Sequence, residues 1–331
     1  MPKAHALLRA GFPYLKTVGM RRVTSYPTDL ALGDDDVLFV VCRTEVAAHV
    51  RRLSQDDEDL GAISADFLWP QCIVRGPDGN LYVSDEGRHR ITVLTTEGEV
   101  VRAWGEQGSA PGQLDRPSGL AFDAEGRLLV ADTGNHRIQR FTPEGQHLGG
   151  WGGHGSEPGQ FDMPWGLTVD EEGDVFVADW RNNRVQKLTD EGEPLFVVGS
   201  SGNGNGEFNR PSGVAVDEHG DIYVADRGNN RVQLFAHTGR YVQQFRGDAT
   251  LSAIGRRYIL ANQKTLRLRE MSNLEEQRLL RAPCSVRVDG RGRLYVPDLG
   301  AHRVQVYEKE AYVLEADEIM PPLNAPTLLT T

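Results

Sequence analysis

The chain is poor in cysteine, in long apolar runs and in positive charge. Its 331 residues include three cysteines, an odd number without paired spacing, which argues against a disulfide framework and indicates a reducing compartment. No apolar run reaches the ~18 residues of a membrane-spanning helix. Because 36 Lys and Arg stand against 47 Asp and Glu, the formal net charge is -11, which disfavours binding to phosphate backbones. These shortages predict a protein that binds neither a membrane nor a nucleic acid.

The first residues give no sign of an export signal. The apolar stretch in MPKAHALLRAGFPYLK is interrupted by Arg9 and is too short for the apolar core of a signal peptide. We therefore expect a cytoplasmic protein, and we expect it to be a monomer.

A repeated unit fills most of the sequence. Six prolines each open a short apolar run, and the gaps between them are 43, 47, 47, 47 and 72 residues, at Pro27, Pro70, Pro117, Pro164, Pro211 and Pro283. Within a unit, two apolar runs separated by a tight turn predict an antiparallel hairpin, and two further strands follow. A period of this length with four strands per unit is typical of propeller blades, which bury their faces only against one another. The sequence thus predicts an all-β, six-bladed β-propeller.

The central copies carry the motifs of a known repeat family. RPSGLAFDAEGRLLVADTGNHRIQRF begins at Arg116, MPWGLTVDEEGDVFVADWRNNRVQKL at Met163 and RPSGVAVDEHGDIYVADRGNNRVQLF at Arg210. Their Pro-x-Gly opening, Ala-Asp strand end and Asn-x-Arg-Val loop exit closely resemble NHL repeats, and weaker copies begin at Tyr26, Trp69 and Ala282. The resemblance covers roughly residues 20 to 310. It implies a single propeller domain over residues 1–331, with a tail from about 317 to 331.

The sixth blade needs a strand from a distant part of the chain to close the ring. The two candidates are Tyr14 to Met20 and Ala311 to Ala316. The first is favoured because its Leu-x-x-Val-Gly pattern lies directly ahead of the first repeat, like a fourth strand that leads into the next proline. Closure of the ring would remove an exposed sheet edge.

The largest departure from the repeat lies between blades 5 and 6, from about 248 to 281. One face of a helix is indicated by the spacing of Leu251, Ile254 and Tyr258. Asp248 or Ser252 is the expected N-cap, and a second helix is predicted from Leu266 to Leu280. We interpret this helical insertion either as a lid over the mouth of the propeller or as an inert excursion packed on its rim.

Acidic residues recur at the end of the second strand of a blade, each five residues before an arginine. The pairs are Asp85 and Arg90, Asp132 and Arg137, Asp179 and Arg184, Asp226 and Arg231, and Asp298 and Arg303. Each pair spans one hairpin loop, so the pattern favours a structural cross-strand ion pair over catalysis or metal binding. The loop position before the arginine holds either His or Asn, which indicates interchangeable loop residues.

The resemblance allows a metal centre at the axis to be tested. Related six-bladed gluconolactonases and amidating lyases draw metal ligands from the residue directly after the repeat proline. Here those residues include no His, Asp or Glu: they are Thr28, Gln71, Ser118, Trp165, Ser212 and Cys284. The next position offers a single carboxylate, Asp29. Cys42, Cys72 and Cys284 are conceivable thiolate ligands, but small buried apolar residues are the favoured interpretation. We predict no cofactor, and an axial metal ion has no support in the sequence.

The residues before the six prolines form a ring on the rim that also carries the loops after the repeated aspartates. They are Tyr26, Trp69, Arg116, Met163, Arg210 and Ala282. The two arginines flank blade 4, which presents Trp165 and Trp180, so planar donors and aromatic faces meet at one mouth. We predict that a small anionic or aromatic ligand, or a partner peptide, is bound by Arg116, Arg210, Trp165, Trp180, Trp69 and Tyr26. The alternative is that the arginines pair with acids of neighbouring blades.

Two functional classes remain open. The first is a binding module that uses this mouth. The second is a hydrolase or lyase that acts on a small molecule in the same pocket, with Asp29 and Cys284 as candidate catalytic residues beside the two arginines. The fold alone does not choose between them.

Overall fold

Six four-stranded antiparallel sheets form a closed ring in the computed structural model, which describes residues 8–44, 47–262 and 273–313. Each sheet is a meander from an inner to an outer strand, and neighbouring blades contact each other through their inner strands, with blade 6 returning to blade 1. The predicted six-bladed β-propeller is confirmed. In the part of the chain that the structure describes, no helix is long and apolar enough to cross a membrane.

The strands of each blade run from the axis outward. Blade 1 consists of Pro27–Leu32, Leu38–Arg43, Ala48–Leu53 and Asp59–Ile63, and blade 2 of Pro70–Arg75, Leu81–Asp85, Arg90–Leu94 and Val100–Trp104. Blade 3 consists of Pro117–Phe122, Leu128–Asp132, Arg137–Phe141 and His147–Gly152, and blade 4 of Pro164–Val169, Val175–Asp179, Arg184–Leu188 and Pro194–Val198. Blade 5 consists of Pro211–Val216, Ile222–Asp226, Arg231–Phe235 and Tyr241–Phe245, and blade 6 of Arg287–Val288, Arg293–Asp298, Arg303–Glu308 and Tyr14–Val18. Short strands Ser200–Ser201 and Glu207–Phe208 pair in parallel within the linker after blade 4.

The core lies between the blades, because each sheet is covered on both faces by its neighbours. All five residues of the strand Ile222–Asp226 are buried. Tyr223 and Val232 of blade 5, for example, belong to one apolar cluster with Leu294 and Val296 of blade 6. Burial of apolar surface stabilises a fold by about 25 cal/mol per Å². In this propeller the apolar surface of a blade is buried mainly against the adjacent blade.

The repeated aspartates are buried anchors for the loops of a blade. Asp226 accepts hydrogen bonds from Nε of Arg231 at 2.7 Å and from the N–H of Asn209 at 2.8 Å. The same Asp–Arg ion pair forms in blades 3, 4 and 6. In blade 2 the predicted pair is wrong, because Arg90 turns away to the carbonyl and carboxylate of Asp66. The structural interpretation of the pairs therefore holds in four blades.

Neighbouring blades are also joined by one recurring hydrogen bond at the rim. In five of the six seams between described blades, the residue before a repeat proline donates its N–H to a loop side chain of the preceding blade. His302 Nδ1 accepts from Tyr26 at 3.1 Å, and Asn230 Oδ1 accepts from Ala282 at 2.8 Å. The equivalent acceptors elsewhere are His89, His136 and Asn183. The interchangeable His and Asn of the sequence thus share one structural role, which we call the seam hydrogen bond.

The closing strand of blade 6 is the favoured N-terminal segment. Tyr14–Val18 pairs antiparallel with Arg303–Glu308, and Val18 is fully buried. The other candidate segment begins in Glu310–Val313, which pairs instead with Leu8–Gly11 in a separate two-stranded ribbon. Its last residues, like the predicted tail, lie outside the described residues.

The insertion expands the linker between blades 5 and 6. Helix α1, Ala253–Leu260, begins after Ser252, whose Oγ accepts the N–H of Gly255 at 3.0 Å, so the predicted helix and one of its two predicted caps are confirmed. Helix α2, Leu274–Arg278, begins after Asn273. The rest of the predicted second helix, before residue 273, lies outside the described residues.

The described parts of the insertion lie at the outer rim. The N–H of Ile254 donates to Oδ2 of Asp57 in blade 1 at 2.7 Å, and the hydroxyls of Thr250 and Tyr14 are 3.0 Å apart. The N–H of Leu280 donates to the carbonyl of Arg246 at 2.7 Å. These contacts hold the insertion against blades 6 and 1.

Candidate functional site

A cavity at the axis is lined mainly by the two residues that follow each repeat proline. The first of these are Thr28, Gln71, Ser118, Trp165, Ser212 and Cys284, and the second are Asp29, Cys72, Gly119, Gly166, Gly213 and Ser285. Leu167, Val214, Arg227 and Arg287 complete the lining. The cavity is narrow: its space of about 420 Å³ includes open solvent at the mouth, and the room inside suits a water-sized group.

The glycine of the Pro-x-Gly motif lets the inner strands approach one another. A Cβ at Gly119 would lie 2.3 Å from the carbonyl oxygen of Trp165, and one at Gly166 would lie 2.6 Å from that of Ser212. Blades 6, 1 and 2 break the motif at this position. Their side chains meet in one polar cluster on the other half of the ring, formed by Ser285, Asp29 and Cys72 around Arg287.

Asp29 is the centre of that cluster and is almost fully buried. Its Oδ1 accepts from Ser285 Oγ at 2.6 Å and from Arg287 Nε at 3.0 Å. Its Oδ2 accepts from the N–H of Ile73 at 3.0 Å and from Arg287 Nη2. Both carboxylate oxygens of Asp29 are therefore occupied by donors, and neither is free to accept a proton from a substrate. The geometry therefore does not favour Asp29 as a catalytic residue.

The cysteines are buried and free of disulfides. Burial raises the pKa of Cys284 and of Cys72, and it raises the pKa of Cys42 to about 12. Because the thiolate is both the nucleophile and the metal ligand, thiols with raised pKa values serve poorly in either role. Cys284 is thus no better placed for catalysis than Asp29.

Two arginines missed by the sequence analysis lie near the axis: Arg227 in the cavity lining, and Arg43 against the lining residue Gln71. Arg227 lines the cavity, and its guanidinium forms no ion pair within the described part of the chain. Arg43 donates from Nη2 to Oε1 of Gln71 at 2.8 Å and lies over the ring of Trp69 at 5.5 Å. Burial, and to a lesser extent the charge of Arg227, lowers the pKa of Arg43. Two like charges without a paired carboxylate make this mouth a favourable place for an anion.

Arg116 is paired within the protein. Its Nε donates to Oε1 of the buried Glu86 of blade 2 at 2.7 Å, and Glu86 also accepts from Nε2 of Gln71. Arg116 thus pairs with an acid of a neighbouring blade, which was the alternative, and its part in a ligand site stays a prediction. Arg116 instead completes a chain of polar contacts from Arg43 through Gln71 and Glu86.

The other predicted arginine lies on an aromatic stack. Arg210 is over the ring of Trp180 at 5.1 Å and has no ion pair among the described residues. Trp180 packs against Trp165 with ring centroids 5.7 Å apart, and Trp165 reaches the cavity. Nε1 of Trp180 is buried and has no hydrogen-bond partner in the described structure. The stack connects the rim to the axis, and the ligand-binding role of Arg210, Trp165 and Trp180 stays a prediction.

Trp69 and Tyr26 are not part of the cavity lining. Tyr26 packs against His302 with ring centroids 4.3 Å apart, because both residues belong to the seam between blades 6 and 1. Trp69 is 55% exposed beside Leu68, which is 52% exposed. Trp69 therefore lies on the rim against Arg43, and the ligand-binding roles of Trp69 and Tyr26 stay predictions.

The axial residues do not fit a metal centre. Among the described residues that line the cavity, Asp29 is the one carboxylate, and Arg287 occupies it. Oγ1 of Thr28 is buried against the cavity without a hydrogen-bond partner in the described structure, which leaves a polar atom for a water or a ligand. The lining suits a polar ligand group better than a cation.

The insertion contributes nothing to this lining. Every residue around the cavity belongs to the blades or their direct linkers, and the described parts of the insertion bind the outer rim. Residues 263–272 lie outside the described residues, so the lid stays a prediction.

A comparison of equivalent positions would have indicated the missed residues. Glu86 and Arg227 directly follow the repeated aspartate, and Arg43 follows Cys42, which replaces that aspartate in the weakest copy. Arg287 stands in an inner strand where other blades carry residues such as Ala31 and Ala121. A charged residue directly after the repeated aspartate, or in the inner strand, would have indicated these residues from the sequence.

The repeat itself matches a family model. The four matched segments are residues 67–94, 114–141, 161–188 and 208–235, all described as NHL repeat. Each begins in the linker ahead of a repeat proline and ends with the third strand of blade 2, 3, 4 or 5. The chain belongs to the NHL-repeat propeller family. Blades 1 and 6 of this NHL propeller are outside the matched segments, in keeping with their weaker copies of the motif.

Individual relatives are distant. The RING finger protein nhl-1 of Caenorhabditis elegans is 36% identical over 61 residues, which is 18% of this chain and 6% of that protein. This NHL propeller therefore spans a small part of that curated relative.

Solved structures show the same fold at low identity. A gluconolactonase from Xanthomonas campestris has a TM-score of 0.63 at 14% identity, covering 93% of this chain and 92% of that one. A virginiamycin B lyase from Staphylococcus aureus has a TM-score of 0.56 at 12% identity, covering 94% and 91%. Identities this low show the fold alone.

Proposed function

We propose that this NHL propeller binds a small anionic ligand at its axial mouth, through Arg227 and Arg43. The observation that carries the proposal is that Arg227 lines the cavity and Arg43 contacts the lining residue Gln71, and that neither guanidinium has an ion-pair partner among the described residues. An anion between them would offset their mutual repulsion and would gain charge-assisted hydrogen bonds. The overall charge of -11 makes such a cationic mouth a local feature that needs its own explanation.

The shape of the cavity limits what enters. Because the channel is narrow, we expect a carboxylate or phosphate group to enter it and the rest of the ligand to stay at the rim. The buried Oγ1 of Thr28 offers a hydrogen bond inside. The stack of Trp165 and Trp180 offers an apolar wall at the mouth, which suits a flat ligand body or a peptide side chain.

The alternative, a hydrolase or lyase in the same pocket, has less support from the geometry. Two structural neighbours are named as a lyase and a gluconolactonase, but at 12% and 14% identity they speak for the fold. The candidate catalytic groups are a carboxylate bound by Arg287 and a thiol whose pKa burial raises. A binding role needs neither group to react.

The test is a calorimetric titration of the full chain with phosphate, acetate and benzoate. Loss of a charged hydrogen bond costs about 1.5–3 kcal/mol, so Arg227→Ala and Arg43→Ala should each weaken the best of these anions at least tenfold. Arg291→Ala is the control for loss of a cationic side chain, because Arg291 is exposed and pairs with Asp36 in the turns on the opposite face. Equal affinity in the wild type and in both mouth variants would overturn the proposal, as would binding of none of the probes.

A further inference from the structure

We propose a second, metal-binding site on the rim between blades 3 and 4, in which His136, His154 and Asp162 bind a divalent transition-metal ion such as Zn²⁺. Nδ1 of His136 is 3.5 Å from Oδ1 of Asp162, and Nε2 of His154 is 3.9 Å from the same oxygen. The two imidazole rings have centroids 4.5 Å apart. The three ligand atoms all lie within 4.8 Å of one another.

These distances are close to those of a bound metal. Zinc binds imidazole nitrogen and carboxylate oxygen at about 2.0–2.2 Å, so neighbouring ligand atoms of a tetrahedral site are about 3.3–3.5 Å apart. Nδ1 of His136 and Oδ1 of Asp162 already have this spacing. A small rotation of the exposed His154 side chain can bring its Nε2 equally close to Oδ1. Water would supply the remaining ligand.

The repeat explains two of the three residues but not the third. His136 accepts the seam hydrogen bond, and His89 with Asp115 makes the same His–Asp pair at 3.2 Å in the seam between blades 2 and 3. Three residues before a repeat proline, an apolar residue pairs with a residue of the preceding linker. That linker residue is Gln107, His154 or Ser201 in successive linkers. A second imidazole therefore occurs where the architecture does not need one.

The carboxylate is also short of partners. Oδ1 of Asp162 is buried, yet no hydrogen bond to it forms within the described structure. A buried acceptor without a donor is costly, and a cation would satisfy it.

Two groups compete with the metal and limit its affinity. Nδ1 of His136 accepts the N–H of Met163 at 3.1 Å, and its one lone pair cannot serve both partners. The exposed Arg181 has Nη1 3.9 Å from Oδ1 of Asp162 and must move away. The site is therefore expected to be reversible, weaker than a structural zinc site, and to exchange one seam hydrogen bond for a metal bond.

The experiment counts metal sites in the untagged full chain. After EDTA treatment and dialysis, Zn²⁺ is titrated by calorimetry, and Co²⁺ is titrated with its visible absorption as a reporter of coordination by nitrogen and oxygen. His154→Gln copies the residue of the sister linker, and His136→Asn copies the seam acceptor of blades 4 and 5. Both variants should fold like the wild type without metal and bind Zn²⁺ at least tenfold more weakly.

A gain-of-site variant completes the test. Gln107→His adds a second imidazole beside His89 and Asp115, and should raise the number of Zn²⁺ sites from one to two. The proposal is overturned if His154→Gln and His136→Asn bind Zn²⁺ with the wild-type affinity and stoichiometry, since the metal then binds other histidines. It is also overturned if the wild type shows no saturable site.

Discussion

Arg287 of blade 6 and Asp29 of blade 1 form a bidentate ion pair at the axis, with Nε to Oδ1 at 3.0 Å and Nη2 to Oδ2. The pair joins the last repeat to the first, and Asp29 also accepts the N–H of Ile73 in blade 2. It thus ties together three blades at the place where the ring closes. It replaces the close glycine packing that the other blades use.

We predict that Asp29→Asn lowers the free energy of unfolding by about 3 kcal/mol. The substitution leaves Arg287 without its counter-charge, and breaking a buried ion pair typically costs 3–5 kcal/mol. The double variant Asp29→Leu, Arg287→Met should be less destabilised than Asp29→Asn, because no charge remains buried. Urea unfolding of the three proteins measures this. A single variant as stable as the wild type would show that the pair does not hold the ring.

The fold was predictable because the repeat presents the same signal six times. A strand such as Leu128–Asp132 is ambiguous by itself, but five related copies at a fixed spacing identify a blade. The closing strand was predictable from the position of Tyr14–Val18 ahead of the first proline. The partner of Arg90 was predicted wrongly because Arg90 pairs with Asp66. Asp66 lies in an irregular linker that the repeat pattern does not describe.

The candidate site was only partly predictable. Arg116 and Arg210 occupy equivalent positions before a proline, yet Arg116 pairs with Glu86 and Arg210 lies on Trp180. The partner of each arginine is set by the loop residue of the adjacent blade, which is Glu86 for Arg116 and Trp180 for Arg210. The spacing of residues in the sequence does not predict this contact. Arg227 was missed because positions that vary between blades carry no repeat signal, although variable loop positions are where a scaffold carries its specific chemistry.

A second prediction concerns the repeated aspartates. Asp226→Asn should lower the free energy of unfolding by about 3 kcal/mol, because Arg231 is buried and loses the carboxylate 2.7 Å from its Nε. Anion affinity at the mouth should fall together with stability, because Asp226 anchors the blade 5 loop that carries Arg227. Glu144→Gln is the control for loss of one negative charge in an exposed turn, and it should change stability by less than about 0.5 kcal/mol. Loss of anion binding in Asp226→Asn at unchanged stability would contradict the structural role.

The last prediction concerns pH and the seam between blades 6 and 1. His302 accepts the N–H of Tyr26 through Nδ1, and burial, together with the charge of Arg21, lowers the pKa of His302 below its ordinary value near 6.5. The folded protein therefore binds fewer protons at this position than the unfolded chain does. The stability from the neutral imidazole is fully present above about pH 6.5 and is lost as the pH falls toward the lowered pKa.

Asn230 and Asn183 accept the same seam hydrogen bond through Oδ1 at 2.8 Å and do not titrate, so His302→Asn should remove this part of the pH dependence. Between pH 7.5 and 5.0 the wild type should therefore lose more stability than His302→Asn does. The reciprocal variant Asn183→His should lose more than the wild type over the same range. Urea unfolding at the two pH values measures all three proteins, and parallel losses would mean that the seam histidine does not sense pH.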